Sequence, residues 1–193
     1  MDSARRAIAA DVLAASRAHD AEQTDRLARF RNVEPETAEL LGVLVRATQA
    51  RRILELGTSN GYSTLWLADA AEATGGAVTS VEIDAERTAM AAANLARAGL
   101  AAELRTQDAG AVLRDAPADA WDLVFLDAER PAYADYWPDL LRTLRPAGGL
   151  LAIDNVISHV NEVAAVTALV EAEPAVTTTL VPIGAGLRLV VRN

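Results

Sequence analysis

The sequence contains no cysteine and no lysine, and all 18 of its basic residues are arginine. Without cysteine there is no disulfide framework, no thiolate metal site and no thiol nucleophile. Without lysine, an enzyme of this sequence must take any proton with another group, because arginine stays protonated at ordinary pH. Catalysis by a cysteine thiol and proton transfer to a lysine are therefore both excluded.

Positive charge and long apolar runs are also scarce. The net charge is -9 and the pI is about 4.7, which argues against a nucleic-acid partner because phosphate binding depends on basic patches. No segment approaches the roughly 20 apolar residues of a membrane span. The start, "MDSARRAIAADVLAASRAHD", is a charged helical pattern without an apolar signal core. We therefore expect a cytoplasmic protein with no membrane partner.

The chain has 193 residues, of which 51% are hydrophobic, and this predicts a single domain over residues 1–193. We expect residues 1–50 to form N-terminal helices and residues 51–193 to form a sheet core. An amphipathic segment covers residues 3–30, with a predicted break near His19 and Asp20. A second helix is predicted to begin at Pro35, since proline suits the first helical turn.

From residue 51 onward, short apolar runs alternate with segments of helical length. The runs are "RRILELG", "AVTSVEID", "AELRTQD", "WDLVFLDA" and "GGLLAIDN". This alternation predicts an α/β fold with a mostly parallel sheet and helices on both faces. The two final strand-like runs flank "PIGAG" and are too close together for a helical crossover, so they predict an antiparallel hairpin at the sheet edge.

Ligands of open parallel sheets bind at the carboxyl ends of the strands. Polar residues of this sequence collect at those ends, in residues 55–61, 82–84, 107–109, 127–130 and 154–155. Gly57 and Gly61 allow a ligand to approach the backbone, but they lack the spacing of dinucleotide and phosphate loops. Glu82 can accept hydrogen bonds from both hydroxyls of a ribose. These features predict a nucleoside ligand without a phosphate chain.

The motifs "ILELGTSNGYSTLWLA", "VTSVEIDAE", "LVFLDAERPAYADYW", "RPAGGLLAIDNV" and "PIGAGLRLV" resemble those of one family. It is the family of cation-dependent O-methyltransferases related to catechol and caffeoyl-CoA O-methyltransferases, and the resemblance covers about residues 32–192. It implies a Rossmann-like class I methyltransferase fold with a seven-stranded sheet. It also implies S-adenosylmethionine as methyl donor, a small catechol-like or vicinal-diol aromatic acceptor, and a homodimer.

The resemblance also implies which residues bind the donor. Gly57 would lie under the methionine part of the donor, and Ser63 near its carboxylate. Glu82 would hold the ribose, and Asp108 with Ala109 would border the adenine. The structural alternatives are an ordinary residue of the first helical turn for Ser63 and a helix N-cap for Asp108. The full implied donor set is Val33, Glu55, Gly57, Ser59, Gly61, Ser63, Glu82, Asp108, Ala109 and Asp127, with Asn32 beside Val33 in a segment that closes over the donor.

The family's metal ligands correspond to Asp127, Asp154 and Asn155. These are hard oxygen donors, which suit Mg²⁺ or another divalent cation. A cation would also relieve the repulsion between two carboxylates at neighbouring strand ends. The alternative is structural, with Asp154 and Asn155 in a turn and Asp127 as a helix cap.

Arg130 stands where the family has its catalytic lysine. Its fixed charge can stabilise a developing phenolate, although it cannot take a proton. The proton acceptor is then either solvent, with the metal lowering the phenol pKa, or His159, whose alternative is a surface position at a helix entry. Tyr133 and Trp137 form either an aromatic wall for the acceptor or part of the core.

Two other functions compete with methyl transfer. The loss of the lysine is compatible with a protein that binds adenosylmethionine but has lost turnover. A nicotinamide-dependent oxidoreductase on the same kind of sheet is disfavoured by the glycine spacing.

Overall fold

A computed structural model describes all residues of the chain, 1–193. Its helices are α1 (Ser3–Glu22), α2 (Pro35–Ala47), α3 (Tyr62–Thr74), α4 (Ala85–Arg97), α5 (Ala109–Asp115), α6 (Tyr133–Thr143) and α7 (Val160–Ala172), with 3₁₀ turns at Arg26–Ala28 and Arg130–Ala132. Its strands are β1 (Arg52–Leu56), β2 (Ala77–Glu82), β3 (Glu103–Thr106), β4 (Leu123–Leu126), β5 (Leu150–Ile153), β6 (Val176–Val181) and β7 (Leu187–Arg192).

The seven strands form one sheet in the order β3-β2-β1-β4-β5-β7-β6. Strands β1 to β5 are parallel, whereas β7 is antiparallel to both β5 and β6. The strand order reverses between β1 and β4, so the helices that follow these two strands, α3 and α6, lie on opposite faces of the sheet and leave a crevice at the strand ends. The predicted α/β sheet with an antiparallel edge hairpin is confirmed.

The central strands are covered on both faces of the sheet. Every residue of β4 and β5 is buried, as expected for near-continuous apolar strands. Alternate residues serve opposite faces, because successive strand side chains point in opposite directions. In β1, Ile53 joins the core cluster that contains helix α3, and Leu54 joins the cluster that contains helices α6 and α7.

The predicted break in the N-terminal amphipathic segment lies slightly later in the chain than expected. Helix α1 ends at Glu22, two residues beyond Asp20, and a short 3₁₀ turn follows at Arg26–Ala28. The Asp20 carboxylate accepts hydrogen bonds from the backbone N–H groups of Phe30 and Arg31 at 2.7 and 2.9 Å, and so holds the returning chain against the helix. The start of α2 at Pro35 is confirmed. None of the helices is both long enough and apolar enough to span a membrane.

Candidate active site

A cavity of about 720 Å³ opens at the carboxyl ends of the parallel strands. It lies where the fold places the crevice between β1 and β4. The predicted site residues that line it are Val33, Gly57, Ser59, Ser63, Glu82, Asp108, Ala109, Asp127, Arg130, Asp154, Asn155 and His159. Two predicted donor residues, Glu55 and Gly61, do not line it.

Gly57 brings the loop after β1 against the loop after β4. Its φ is +105°, and a Cβ built on it would lie 2.1 Å from the carbonyl oxygen of Asp127. A residue with a side chain would separate the two loops, so glycine is required here. Gly61 is needed for a different contact, since it caps α3 with φ +87° and packs against Ala91. Gly61 thus lies beside the cavity in this packing contact, and its contact with a ligand stays a prediction.

Glu55 lies beneath the cavity and is fully buried. Its carboxylate accepts hydrogen bonds from the hydroxyls of Ser63, Thr64 and Ser80 at 2.5, 2.5 and 2.6 Å. Burial nevertheless raises the pKa of Glu55 to about 7, because it outweighs the three hydroxyl donors. This carboxylate fixes Ser63 in the cavity wall from below, and a direct contact of Glu55 with a ligand stays a prediction.

Glu82 ends β2 with its carboxylate held by backbone groups. One oxygen accepts from the N–H of Ser59 at 2.8 Å, and the other accepts from the N–H groups of Ile83 and Asp84 at 2.9 and 3.1 Å. These bonds fix a negative charge on the cavity wall, beside the glycine loop. The carboxylate is thus preorganised to accept hydrogen bonds from a ligand's hydroxyls.

Asp108 and Ala109 line the cavity at the start of α5, next to Tyr136. Asp108 is also the helix N-cap, because its carboxylate accepts from the N–H of Ala111 at 2.8 Å. The capping role that the sequence left open is therefore real, and it coexists with a place on the cavity wall.

One wall of the cavity is formed by residues 26–34, of which all but Ala28 line it. Ser59 donates a hydrogen bond to the carbonyl oxygen of Phe30 at 3.0 Å, and Asn32 donates one to Ser16 at 2.8 Å. Farther along the cavity mouth, Arg26 and Arg31 both pair with Glu129, at 3.2 and 2.8 Å. Asn32 and the buried Val33 thus lie in a segment that lines the cavity, and its closing over a donor stays a prediction.

Two carboxylates meet at the ends of β4 and β5. Asp154 is buried, and burial raises its pKa to about 7. The pKa of Asp127 is raised well above its ordinary value by burial and by the charge of Asp154. Asn155, held at φ +66°, donates from its amide to one oxygen of Asp154 at 2.9 Å. The other oxygen of Asp154, Oδ1, is buried and has no hydrogen-bond partner.

This group of oxygens fits a hard divalent cation. The repulsion between the carboxylates and the unpartnered Asp154 Oδ1 are what a cation would relieve. The donor set is two carboxylates and one amide, since no three or more His, Cys, Asp or Glu residues cluster anywhere in the chain. However, Oδ1 of Asn155 already accepts a hydrogen bond from Nη1 of Arg130 at 3.1 Å, so this arginine competes for one of the three ligands.

Arg130 is only 4% exposed. Its Nε donates to Glu162 at 2.9 Å and its Nη1 donates to Asn155, while Nη2 is buried without a partner. Glu162 was missed by sequence reasoning. An acidic residue in the first turn of a helix is ordinarily explained by the helix dipole, so its type and position carried no signal of this contact.

His159 lies at the N-terminus of α7 and lines the cavity. Its Nδ1 is 2.8 Å from the hydroxyl oxygen of Ser158. Burial, with a further contribution from the charge of Arg130, lowers the pKa of His159 below its usual value. The imidazole is therefore neutral at neutral pH, with Nε2 left for another partner.

Tyr133 and Trp137 belong to the core. They are 0% and 6% exposed, and the Tyr133 hydroxyl donates to the carbonyl oxygen of Ala128 at 3.1 Å. Neither residue lines the cavity, so the aromatic-wall interpretation is corrected in favour of the core. Tyr136, which lies three residues after Tyr133 and one before Trp137, is the aromatic residue of α6 that lines the cavity.

Comparison with known proteins gives a consistent set of matches. The family model described as O-methyltransferase matches residues 7–193. The catechol O-methyltransferase of Niastella koreensis is 38% identical over 131 residues, which are 65% of this chain and 58% of that protein. The catechol O-methyltransferase of Mycobacterium tuberculosis is 37% identical over 147 residues, or 75% of this chain and 64% of that protein. The alignments thus span less than two thirds of these two relatives.

Among solved structures, the O-methyltransferase from Bacillus cereus in complex with S-adenosylhomocysteine (SAH) is similar over the whole chain. The TM-score is 0.78 at 28% sequence identity, covering 100% of this chain and 92% of that one. The likeness therefore includes the N-terminal helices and the C-terminal hairpin as well as the central sheet.

Proposed function

The chain belongs to the O-methyltransferase family, and from this premise we propose that it transfers a methyl group from S-adenosylmethionine to a hydroxyl of a small catechol-like aromatic acceptor. The observation that carries this proposal is one cavity in which the fixed Glu82 carboxylate and the Gly57 loop adjoin the Asp127 and Asp154 pair. The first two suit a nucleoside, and the pair suits a hydroxylated acceptor.

The donor half is supported by chemistry on the cavity wall. Glu82 has its carboxylate fixed by three backbone N–H groups, which suits the two hydroxyls of a ribose. Asp108, Ala109 and Tyr136 line the same cavity and would border the adenine. The relative from Bacillus cereus carries SAH, the product of the donor.

In the acceptor half, Asp127, Asp154 and Asn155 would hold a divalent cation. When bound, the cation supplies charge that acidifies a phenolic hydroxyl. Arg130 supplies a second, permanent positive charge for the developing phenolate. In the transfer, the sulfur–methyl bond breaks as the oxygen–methyl bond forms, SAH is released, and the phenolic proton goes to solvent or to His159. Residues 26–34 border the cavity and would limit the access of water to a bound donor.

A second candidate function is binding of adenosylmethionine without turnover. It is favoured by one observation, the guanidinium of Arg130 at the position of the family's lysine. Arginine is a permanent cation and cannot accept the proton of an acceptor hydroxyl. This arginine is also held in an ion pair with Glu162. A homodimer, expected from the family resemblance, also remains a proposal, and light scattering on the purified protein tests it.

One assay separates the two functions. Purified protein is incubated with S-adenosylmethionine, catechol and Mg²⁺, and the products are identified by mass spectrometry, with excess chelator in a parallel reaction. We expect a mono-methylated catechol that disappears with chelator and in Asp154→Asn. SAH binding by calorimetry without any methylated product would favour the second function, and equal or tighter binding of NAD⁺ would contradict both.

A further inference from the structure

The Arg130 guanidinium is anchored on two of its three nitrogens. Glu162 accepts from Nε at 2.9 Å and Asn155 accepts from Nη1 at 3.1 Å. The third nitrogen, Nη2, is buried with no partner, although it belongs to a residue that lines the cavity. An unmade hydrogen bond at a buried charged group is costly, so a bound ligand that offers an acceptor oxygen would be stabilised here.

Glu162 is the only charged anchor of this guanidinium. The ion pair joins the first turn of α7 to the 3₁₀ turn that begins at Arg130. Asn155 is neutral, and its oxygen is also needed as a candidate metal ligand, so it is a weaker anchor. A guanidinium is a rigid planar fork, and fixing its Nε and Nη1 therefore fixes the direction of Nη2.

We propose that Glu162 is a positioning residue for methyl transfer, which holds Arg130 so that Nη2 binds an oxygen of the acceptor. This inference rests on the proposed function. The acceptor chemistry that fits is a phenol with a neighbouring hydroxyl, since its ionised oxygen accepts from Nη2 and is stabilised by the charge. A carboxylate acceptor fits less well, because Asp127 and Asp154 lie at the same end of the cavity.

Helix α7 offers a matched control. Glu171, near its other end, pairs with Arg188 at 3.0 Å, and that arginine is also largely buried, at 12% exposed. Neither residue lines the cavity. Glu171→Gln therefore makes the same chemical change, on the same helix and beside a similarly buried arginine, without touching the site.

The test uses 4-nitrocatechol, whose visible absorbance reports its ionisation. Its apparent pKa is measured when bound to the Mg²⁺-loaded, SAH-saturated protein. Loss of the Glu162 charge alone would lower this pKa, whereas loss of the Arg130 position raises it. We expect the second effect to dominate in Glu162→Gln, with a rise of about one unit, a tenfold change in the ionisation constant. Arg130→Met should raise it at least as much, and the double variant should match Arg130→Met alone, because Glu162 acts through Arg130. Glu171→Gln should leave it unchanged, and Glu162→Asp should fall between wild type and Glu162→Gln.

The outcomes separate the inference from the function on which it rests. If wild type binds and methylates 4-nitrocatechol but Glu162→Gln leaves the bound pKa and kcat within twofold of wild type, the positioning role is wrong and the function stands. An effect of Glu162→Gln that persists in full beside Arg130→Met also overturns the role. If wild type binds no 4-nitrocatechol, the proposed acceptor class fails and the role assigned to Nη2 fails with it.

Discussion

The backbone of Gly57 packs directly on that of Asp127, so that a Cβ on the glycine would lie 2.1 Å from the aspartate's carbonyl oxygen. This contact joins the loop after β1 to the loop after β4 at the point where the strand order reverses. One loop carries the proposed donor site and the other carries the proposed acceptor site. The distance between the two sites therefore depends on a residue without a side chain.

Gly57→Ala should disturb both sites. The positive φ and the overlap with Asp127 together are expected to cost about 2–4 kcal/mol of stability, and SAH binding should weaken. Gly75→Ala is the control, because Gly75 also has a positive φ of +65° but its added Cβ meets nothing within 4 Å. That variant should lose about 1 kcal/mol and keep its SAH affinity. Urea unfolding and calorimetry measure both effects, and wild-type SAH affinity in Gly57→Ala would contradict the expectation.

Glu82→Gln should weaken SAH binding by about 10–100-fold, since a charge-assisted hydrogen bond contributes about 1.5–3 kcal/mol. Glutamine keeps the shape but loses the charge presented to the ribose hydroxyls. Glu86→Gln, in the first turn of α4 and outside the cavity, controls for the change in net charge. Isothermal titration compares the three proteins. Equal affinities would show that Glu82 only organises its loop.

Much of this architecture is predictable from sequence because local patterns encode it. The strands around Leu54, Val124 and Leu151 are buried on both faces, so their apolar runs are short and continuous. The polar residues that follow them collect at one sheet edge by topology alone. The fold, the hairpin and the cavity-lining residues at the strand ends follow from these two regularities.

The sequence did not reveal which of two similar side chains points into the cavity and which points into the core. Glu55 is the penultimate residue of β1 and Glu82 is the last residue of β2, yet the first is enclosed by hydroxyls beneath the cavity and the second lines it. Tyr133 and Tyr136 differ by three positions on α6, and only the helix packing decides which one is core. Glu162 is one of several acidic residues on helices and has no distinguishing motif. Its contact with Arg130 joins residues that are 32 positions apart, so no local pattern indicates it.

Arg130→Met should strengthen the binding of Mn²⁺. Arg130 donates to Oδ1 of Asn155, and its positive charge opposes a second cation beside Asp127 and Asp154. Removing it should raise the Mn²⁺ affinity about tenfold or more, given that unit charges at about 4 Å interact by roughly 4 kcal/mol near a protein surface. Arg188→Met removes the same charge away from the cavity and should have no effect. An unchanged or weaker affinity in Arg130→Met, by calorimetry, would mean that the arginine does not compete.

Glu55 makes stability depend on pH. Its folded pKa is about 7, above its ordinary value of 4.5, so the folded state binds this proton more tightly than the unfolded chain does. The resulting stabilisation is complete below about pH 4.5 and is lost as the pH rises through 7, and its size is up to about 3 kcal/mol.

Glu55→Gln carries no such proton, so its stability should fall less than that of wild type between pH 5 and pH 8. Urea unfolding at both pH values measures the difference. The contribution from Asp154 occurs in both proteins and cancels in the comparison. The charge of Glu55 also raises the pKa of Asp127, so the measured difference includes this smaller coupled contribution. Parallel pH profiles for the two proteins would show that Glu55 does not titrate in this range.

The last prediction concerns the proton of the acceptor, for which His159 is the alternative to solvent. His159 lines the cavity, but burial and the charge of Arg130 lower its pKa below the usual 6.5. A phenol has a pKa of about 10, so this imidazole is a poor match as a base unless the phenol is first acidified. With a cation at Asp127 and Asp154, solvent itself is sufficient.

We therefore expect His159→Gln to lower kcat by less than about tenfold, whereas a positioned general base contributes typically 10²–10⁴-fold. The rising limb of kcat/KM with pH should remain in His159→Gln and should move when Mg²⁺ is replaced by Mn²⁺. If the limb lies below pH 6.5, disappears in His159→Gln and moves upward in Arg130→Met, then His159 is the base, because removing the arginine's charge raises the pKa of the imidazole.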